Sequence, residues 1–176
     1  MRKIITLLAV IGMFGFQGCT GPEGPPGVPG QDGLTPTAFE LRNVSLARVT
    51  DRHYELKRTF ASTALAGDLY DDETVLIYRM TGTINSSTPI WQSIPRSIYF
   101  SDGNVLDYDY DFSKVDFVIS ADGTYNLFNE PNIINQTFRL VIVPSDLINK
   151  VDKNNYYQVM SVLKLSEDQI QKIDMK

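Results

Sequence analysis

The chain has 176 residues, of which 16 are basic and 21 acidic, with one histidine and one cysteine. A formal net charge of −5 argues against a nucleic-acid partner, because phosphate contacts need clustered Lys and Arg. The Cys and His counts exclude metal centres built from those ligands and any disulfide within the chain.

Residues 1–18 have the layout of a secretory signal. Arg2 and Lys3 form a positive end, and Ile4 to Phe16 is an apolar run broken only by Thr6, Gly12 and Gly15. That run is shorter than the ~20 residues a spanning helix needs, so a cleaved signal is expected. The single cysteine, Cys19, stands at its end, behind Phe16-Gln17-Gly18. Five Gly-X-Y triplets follow from Gly21 to Gly33, with Pro in several X and Y positions. Only Gly fits at the axis of three packed polyproline-II chains, which is the steric origin of that period. Fifteen residues are few for a triple helix. An extended spacer on a monomer is the expectation, reaching roughly 45 Å at ~3.1 Å per residue. A trimeric stalk is the alternative.

Phe16-Gln17-Gly18-Cys19 resembles the lipobox of bacterial lipoproteins, with Gly18 as the small residue before the cut and with Phe16 and Gln17 departing from the commoner Leu and Ala/Ser. The resemblance implies that Cys19 becomes the acylated first residue of the mature protein. Acyl chains contribute about 0.8 kcal/mol per buried CH₂ and together hold a protein at a membrane. Thr20 stands where Asp would imply inner-membrane retention, so the outer membrane is expected, with either leaflet open. A lipobox Cys followed directly by Gly-Pro triplets and one modest domain is similar to a group of Bacteroidota lipoproteins with a short collagen-like segment. Ile90-Trp-Gln-Ser-Ile-Pro95 and Phe138-Arg-Leu-Val-Ile-Val-Pro144 extend the resemblance more loosely. It implies a location and a β fold, and no reaction.

Residues 37–176 read as one mainly β domain, an antiparallel sandwich or a partly open barrel with one or two short helices. Ala38–Arg48 begins with clear alternation. His53–Phe60 and Thr74–Ile84 follow, the latter rich in β-branched and aromatic residues. Trp91–Phe100 is a further run with Pro95 as a turn or edge position. Ser101-Asp-Gly-Asn104 is a turn, and Val105–Phe112 and Lys114–Ser120 are strands. Asp122-Gly123 predicts a hairpin with Thr124–Phe128 as its return strand. Thr137–Val143 is a continuous β-branched run that should be buried, stopped by Pro144. Tyr156–Leu165 reads as the last strand. Helices are expected to start at Ser145 and at Ser166, the second with Gln169 in capping-box position.

Four groups of residues are candidates for chemistry. In a strand Asp107, Asp109 and Asp111 share one face, a candidate calcium site by oxygen-ligand chemistry. Phe112 and Val118 occupy the positions where an EF-hand loop needs Gly and Glu, so that motif is excluded. The competing reading is a solvated acidic face with Tyr108, Tyr110 and Phe112 packed inward, and this is the reading preferred. Asp71-Asp72-Glu73 is expected to be a solvated loop. His53 has no nucleophile elbow or partner Cys near it, and a structural role is expected. Trp91 and Tyr99, with Tyr156 and Tyr157, are candidates for an aromatic platform, against core packing. No Gly-rich phosphate loop follows a strand, so no nucleotide cofactor is expected. The expected function is non-enzymatic binding or structural support by a lipid-anchored envelope protein. A carbohydrate-binding module is the alternative, and a hydrolase using two carboxylates a third reading.

Overall fold

The computed structural model describes residues 37–85 and 88–176. The leader, Cys19 and the Gly-X-Y segment lie outside the described residues.

Alternation of buried and exposed residues builds the strands in pairs. β1 (Thr37–Val44), β4 (Glu73–Asn85), β5 (Thr88–Ser93), β9 (Gln136–Pro144) and β10 (Gln171–Asp174) form one sheet in the order β10-β1-β9-β4-β5. β2 (Ala47–Arg48), β3 (His53–Thr59), β6 (Arg96–Tyr99), β7 (Val105–Phe112) and β8 (Asp116–Gly123) form the other, in the order β2-β3-β8-β7-β6. Neither sheet closes on itself, so the domain is a sandwich and not a barrel. Neighbours are antiparallel except β1 and β10, which run parallel. The sheets face each other across Phe39, Leu41, Ile77, Phe138 and Leu140 of the first and Leu56, Leu106, Phe117 and Ile119 of the second.

The β-branched run is β9, at the centre of the first sheet and buried on both faces. Its second face, with Ala38, Leu76, Tyr78 and Trp91, is covered by α2 (Tyr156–Val162), which follows the single-turn α1 (Ser145–Ile148). No described helix is long and apolar enough to cross a membrane.

Several elements differ from expectation. Ala38–Arg48 divides between β1 and β2, which belong to different sheets. Tyr156–Leu165 is helical and not a strand. Tyr156, Val159, Met160 and Leu163 fall at i, i+3, i+4 and i+7 and all are buried against the sheet, the helical stripe. Asn155 caps the helix by accepting from the Gln158 N–H at 3.1 Å. Lys164, at φ 55°, ends it, with its N–H on the Ser161 carbonyl and that of Leu165 on the Met160 carbonyl, a Schellman closure.

Asp122-Gly123 is not a hairpin turn. Asp122 pairs with both His53 and Asp107, so β8 runs straight through it. Gly123 admits Leu127, whose Cδ2 would lie 2.5 Å from a Cβ there. Thr124–Phe128 is therefore a loop that plugs the core with Leu127. Trp91–Phe100 divides at Ile94-Pro95 into β5 and β6, which belong to different sheets. After Ser166 there is one 3-10 turn, Glu167–Gln169, with Gln169 Oε1 accepting from the Ser166 N–H at 2.9 Å. β10 then adds an edge that the sequence pattern does not announce.

Candidate functional site: a cleft beside a buried arginine

The outward-facing residues of the first sheet set the site. Glu40 on β1 lies in register between Lys172 on β10 and Arg139 on β9, and Arg139 lies opposite Tyr78 on β4. Strand alternation thus places charges of sign +, −, + side by side across three strands. Arg139 is 2% exposed and Glu40 3%, so these charges must be paired or pay heavily in desolvation.

The pairing is extensive. Arg139 Nη2 donates to Glu40 Oε2, and Nη1 donates to the Tyr156 hydroxyl. Nη1 also donates to Glu167 Oε1 at 2.6 Å, and the Tyr156 hydroxyl donates to the same oxygen at 2.8 Å. Glu40 accepts a further bond from Arg42 Nε at 2.6 Å. The Arg139 guanidinium carbon sits 4.3 Å from the Trp91 ring centroid and 5.4 Å from that of Tyr156, within cation–π range. One arginine therefore ties β1, α2 and the 3-10 turn to the central strand.

The electrostatics follow from this geometry. Burial acts to raise the Glu167 carboxyl, but hydrogen bonds from Arg139 and Tyr156 more than offset it and hold it below its ordinary value of 4.5. Burial acts to lower Arg139, and hydrogen bonds to Glu167 and Glu40 reverse that and raise it. Burial also raises the Tyr156 hydroxyl. Glu167, Arg139 and Tyr156 thus stand as a carboxylate, a guanidinium and a neutral phenol.

Beside this cluster a cleft of about 620 Å³ opens, walled by Glu40, Arg42, Trp91, Tyr157, Glu167 and Lys172. Thr83, Thr88 and Thr137 add hydroxyls, and Met80 and Pro89 add apolar surface. Two acids and two bases line it, so its formal charge cancels. Tyr157 is 57% exposed, and its hydroxyl donates to the Pro89 carbonyl at 2.8 Å. Trp91 is 8% exposed, and its indole N–H is buried without a partner among the described residues, as is Arg139 Nε.

Of the aromatic candidates, Trp91, Tyr156 and Tyr157 come together, with ring centroids 5.4 Å and 5.1 Å apart in sequence. Tyr99 does not join them: it is on β6, in the other sheet. Asp107, Asp109 and Asp111 are exposed on the outer face of β7, opposite Asp122, Ser120 and Val118. Successive members are about 6.8 Å apart along the strand, and no three His, Asp or Glu side chains gather as a ligand set among the described residues. Tyr108 packs inward, and Tyr110 is partly buried with its hydroxyl on the Val75 carbonyl at 2.9 Å. Phe112, expected inside, is 38% exposed, because it lies at the strand end. His53 Nδ1 is 2.8 Å from Asp122 Oδ1. Asp71 pairs with Lys114, and Glu73 accepts from the Tyr70 N–H at 2.9 Å; these acids hold a loop.

Sequence reasoning missed Glu40, Arg139 and Glu167. The signal was present for two of them. An Arg inside Phe138-Arg-Leu-Val-Ile-Val143, and a Glu inside Ala38-Phe-Glu-Leu41, are charges in apolar strands and require buried partners. No family model, curated protein or solved structure matches the chain.

Proposed function

We propose that this is a lipid-anchored outer-membrane protein, held by acylated Cys19 and raised on residues 20–36, whose sandwich binds a neutral oligosaccharide without transforming it. The cleft beside Arg139 is the observation that carries this reading. Its walls combine an exposed Tyr157 ring, the edge of Trp91, three threonine hydroxyls and balanced charges, a surface suited to a hydroxyl-rich, uncharged ring. Glu167, kept as a carboxylate, offers an acceptor, whereas acid catalysis asks for a carboxyl whose pKa is raised.

Trp91 is the single tryptophan, so its emission reports the cleft. Titration of the protein with gluco-, manno- and galacto-oligosaccharides is expected to give a saturable change with at least one series, weakened about tenfold or more by Tyr157→Ala through loss of ring contact. No response to any series, or binding indifferent to Tyr157→Ala, contradicts the reading.

A further inference from the structure

A second groove, of about 430 Å³, lies where β4 and β5 of one sheet meet β6 of the other. It is lined by Arg79, Arg96, Gln92, Asn132, Ser97 and Tyr99, and by no acid. In a chain of net charge −5, two arginines without a carboxylate set this surface apart.

Arg79 is only 8% exposed, and its partners are neutral. Nε donates to Gln136 Oε1 at 2.9 Å and Nη2 to Asn132 Oδ1 at 3.1 Å. Its guanidinium carbon lies 4.9 Å from the Tyr108 ring centroid. No carboxylate forms an ion pair with Arg79 or Arg96 among the described residues. The nearest acid in the hydrogen-bond network is Glu130, reached only through Asn132, whose Nδ2 donates to Glu130 Oε1 at 2.7 Å. That bond fixes the Asn132 amide with its oxygen toward Arg79. A buried cation normally has an ionic partner. Here neutral groups make the direct contacts of the guanidinium, and the Glu130 carboxylate, which feels its charge, stands beyond Asn132, so Arg79 keeps the capacity to take an oxyanion.

We propose that this groove binds the carboxylate of an acidic sugar. Arg79 and Arg96 take the carboxylate. Gln92 and Asn132 supply amide groups for the sugar hydroxyls. A peptide is less well suited, because Ile98 is the one aliphatic residue in the lining. The inference stands apart from the reading of the cleft, which concerns other residues and uncharged ligands.

The test is calorimetric titration of the full-length protein in detergent with trigalacturonate, its trimethyl ester, triglutamate and inorganic phosphate. Trigalacturonate is expected to bind at least about tenfold more tightly than the other three. Arg96→Ala is expected to weaken it about tenfold or more. The Arg96 side chain is exposed, so this variant avoids the folding risk of replacing Arg79. No binding of trigalacturonate, or an ester, triglutamate or phosphate bound as well, overturns the proposal. So does affinity unchanged by Arg96→Ala.

Discussion

Arg139 costs free energy to bury, and Glu40 is the group that makes its burial tolerable. The pair is fully desolvated, with both side chains under 5% exposed. Removing Glu40 leaves Arg139 buried against Glu167, whose own side chain is 59% exposed, and breaking such a buried pair costs about 3–5 kcal/mol. Glu40→Ala is therefore expected to lower stability by about that amount, read as the urea midpoint near neutral pH. Glu40→Leu combined with Arg139→Leu should recover most of the loss, because apolar packing substitutes well for a buried ion pair. A Glu40→Ala loss below about 1 kcal/mol, the range of exposed pairs, would show that the cluster is solvated. Both charges could have been marked in the sequence as anomalies within apolar strands. Their partnership could not, since it spans 99 residues and depends on the β1–β9 register.

At the scale of elements, α2 explains both how the cleft is walled and why it was hard to foresee. Tyr156-Tyr-Gln-Val-Met-Ser-Val-Leu163 is aromatic and β-branched, which favours a strand reading. The helical spacing of Tyr156, Val159, Met160 and Leu163 decides otherwise, because a sheet face is there to receive that stripe. The Asp-Gly hairpin failed for a related reason. Pairing of β8 with a neighbour on each side outweighs local turn preference. Cap chemistry was legible at Ser166, whose N–H donates to Gln169 Oε1, although one 3-10 turn follows there and not a longer helix; the short helix expected from Ser145 forms without a side-chain cap.

The 3-10 turn is held to α2 through Glu167, and this contact has a pH signature. The folded-state pKa of Glu167 is depressed. Its contribution is therefore fully present above the unfolded value of 4.5 and is lost as pH falls through the lower folded value. Melting temperatures of wild type and Glu167→Gln, compared from about pH 7 to about pH 3, should differ at neutral pH and converge on acidification. A gap that stays constant across that range would place the stabilisation in packing and not in the carboxylate.

In the whole molecule, the two sheets present different outer faces. The first is covered by α2 and opens into the cleft; the second exposes the strip of Asp107, Asp109 and Asp111 to solvent. The β class and most strands were legible because period-two alternation is local. Strand order, the crossing from β5 to β6 between sheets, and the cleft arise from long-range pairing that no local pattern encodes. In the proposed function such a site is joined to a lipid anchor at Cys19. The direct test of that union is fractionation of cells carrying wild type or Cys19→Ala, with each fraction measured for the protein and for its neutral-oligosaccharide binding. The account predicts protein and binding together in the membrane fraction for wild type, and both in the soluble fraction for Cys19→Ala. Protein that remains with the membrane without Cys19, or a wild-type membrane fraction that holds the protein and binds no sugar, would contradict it.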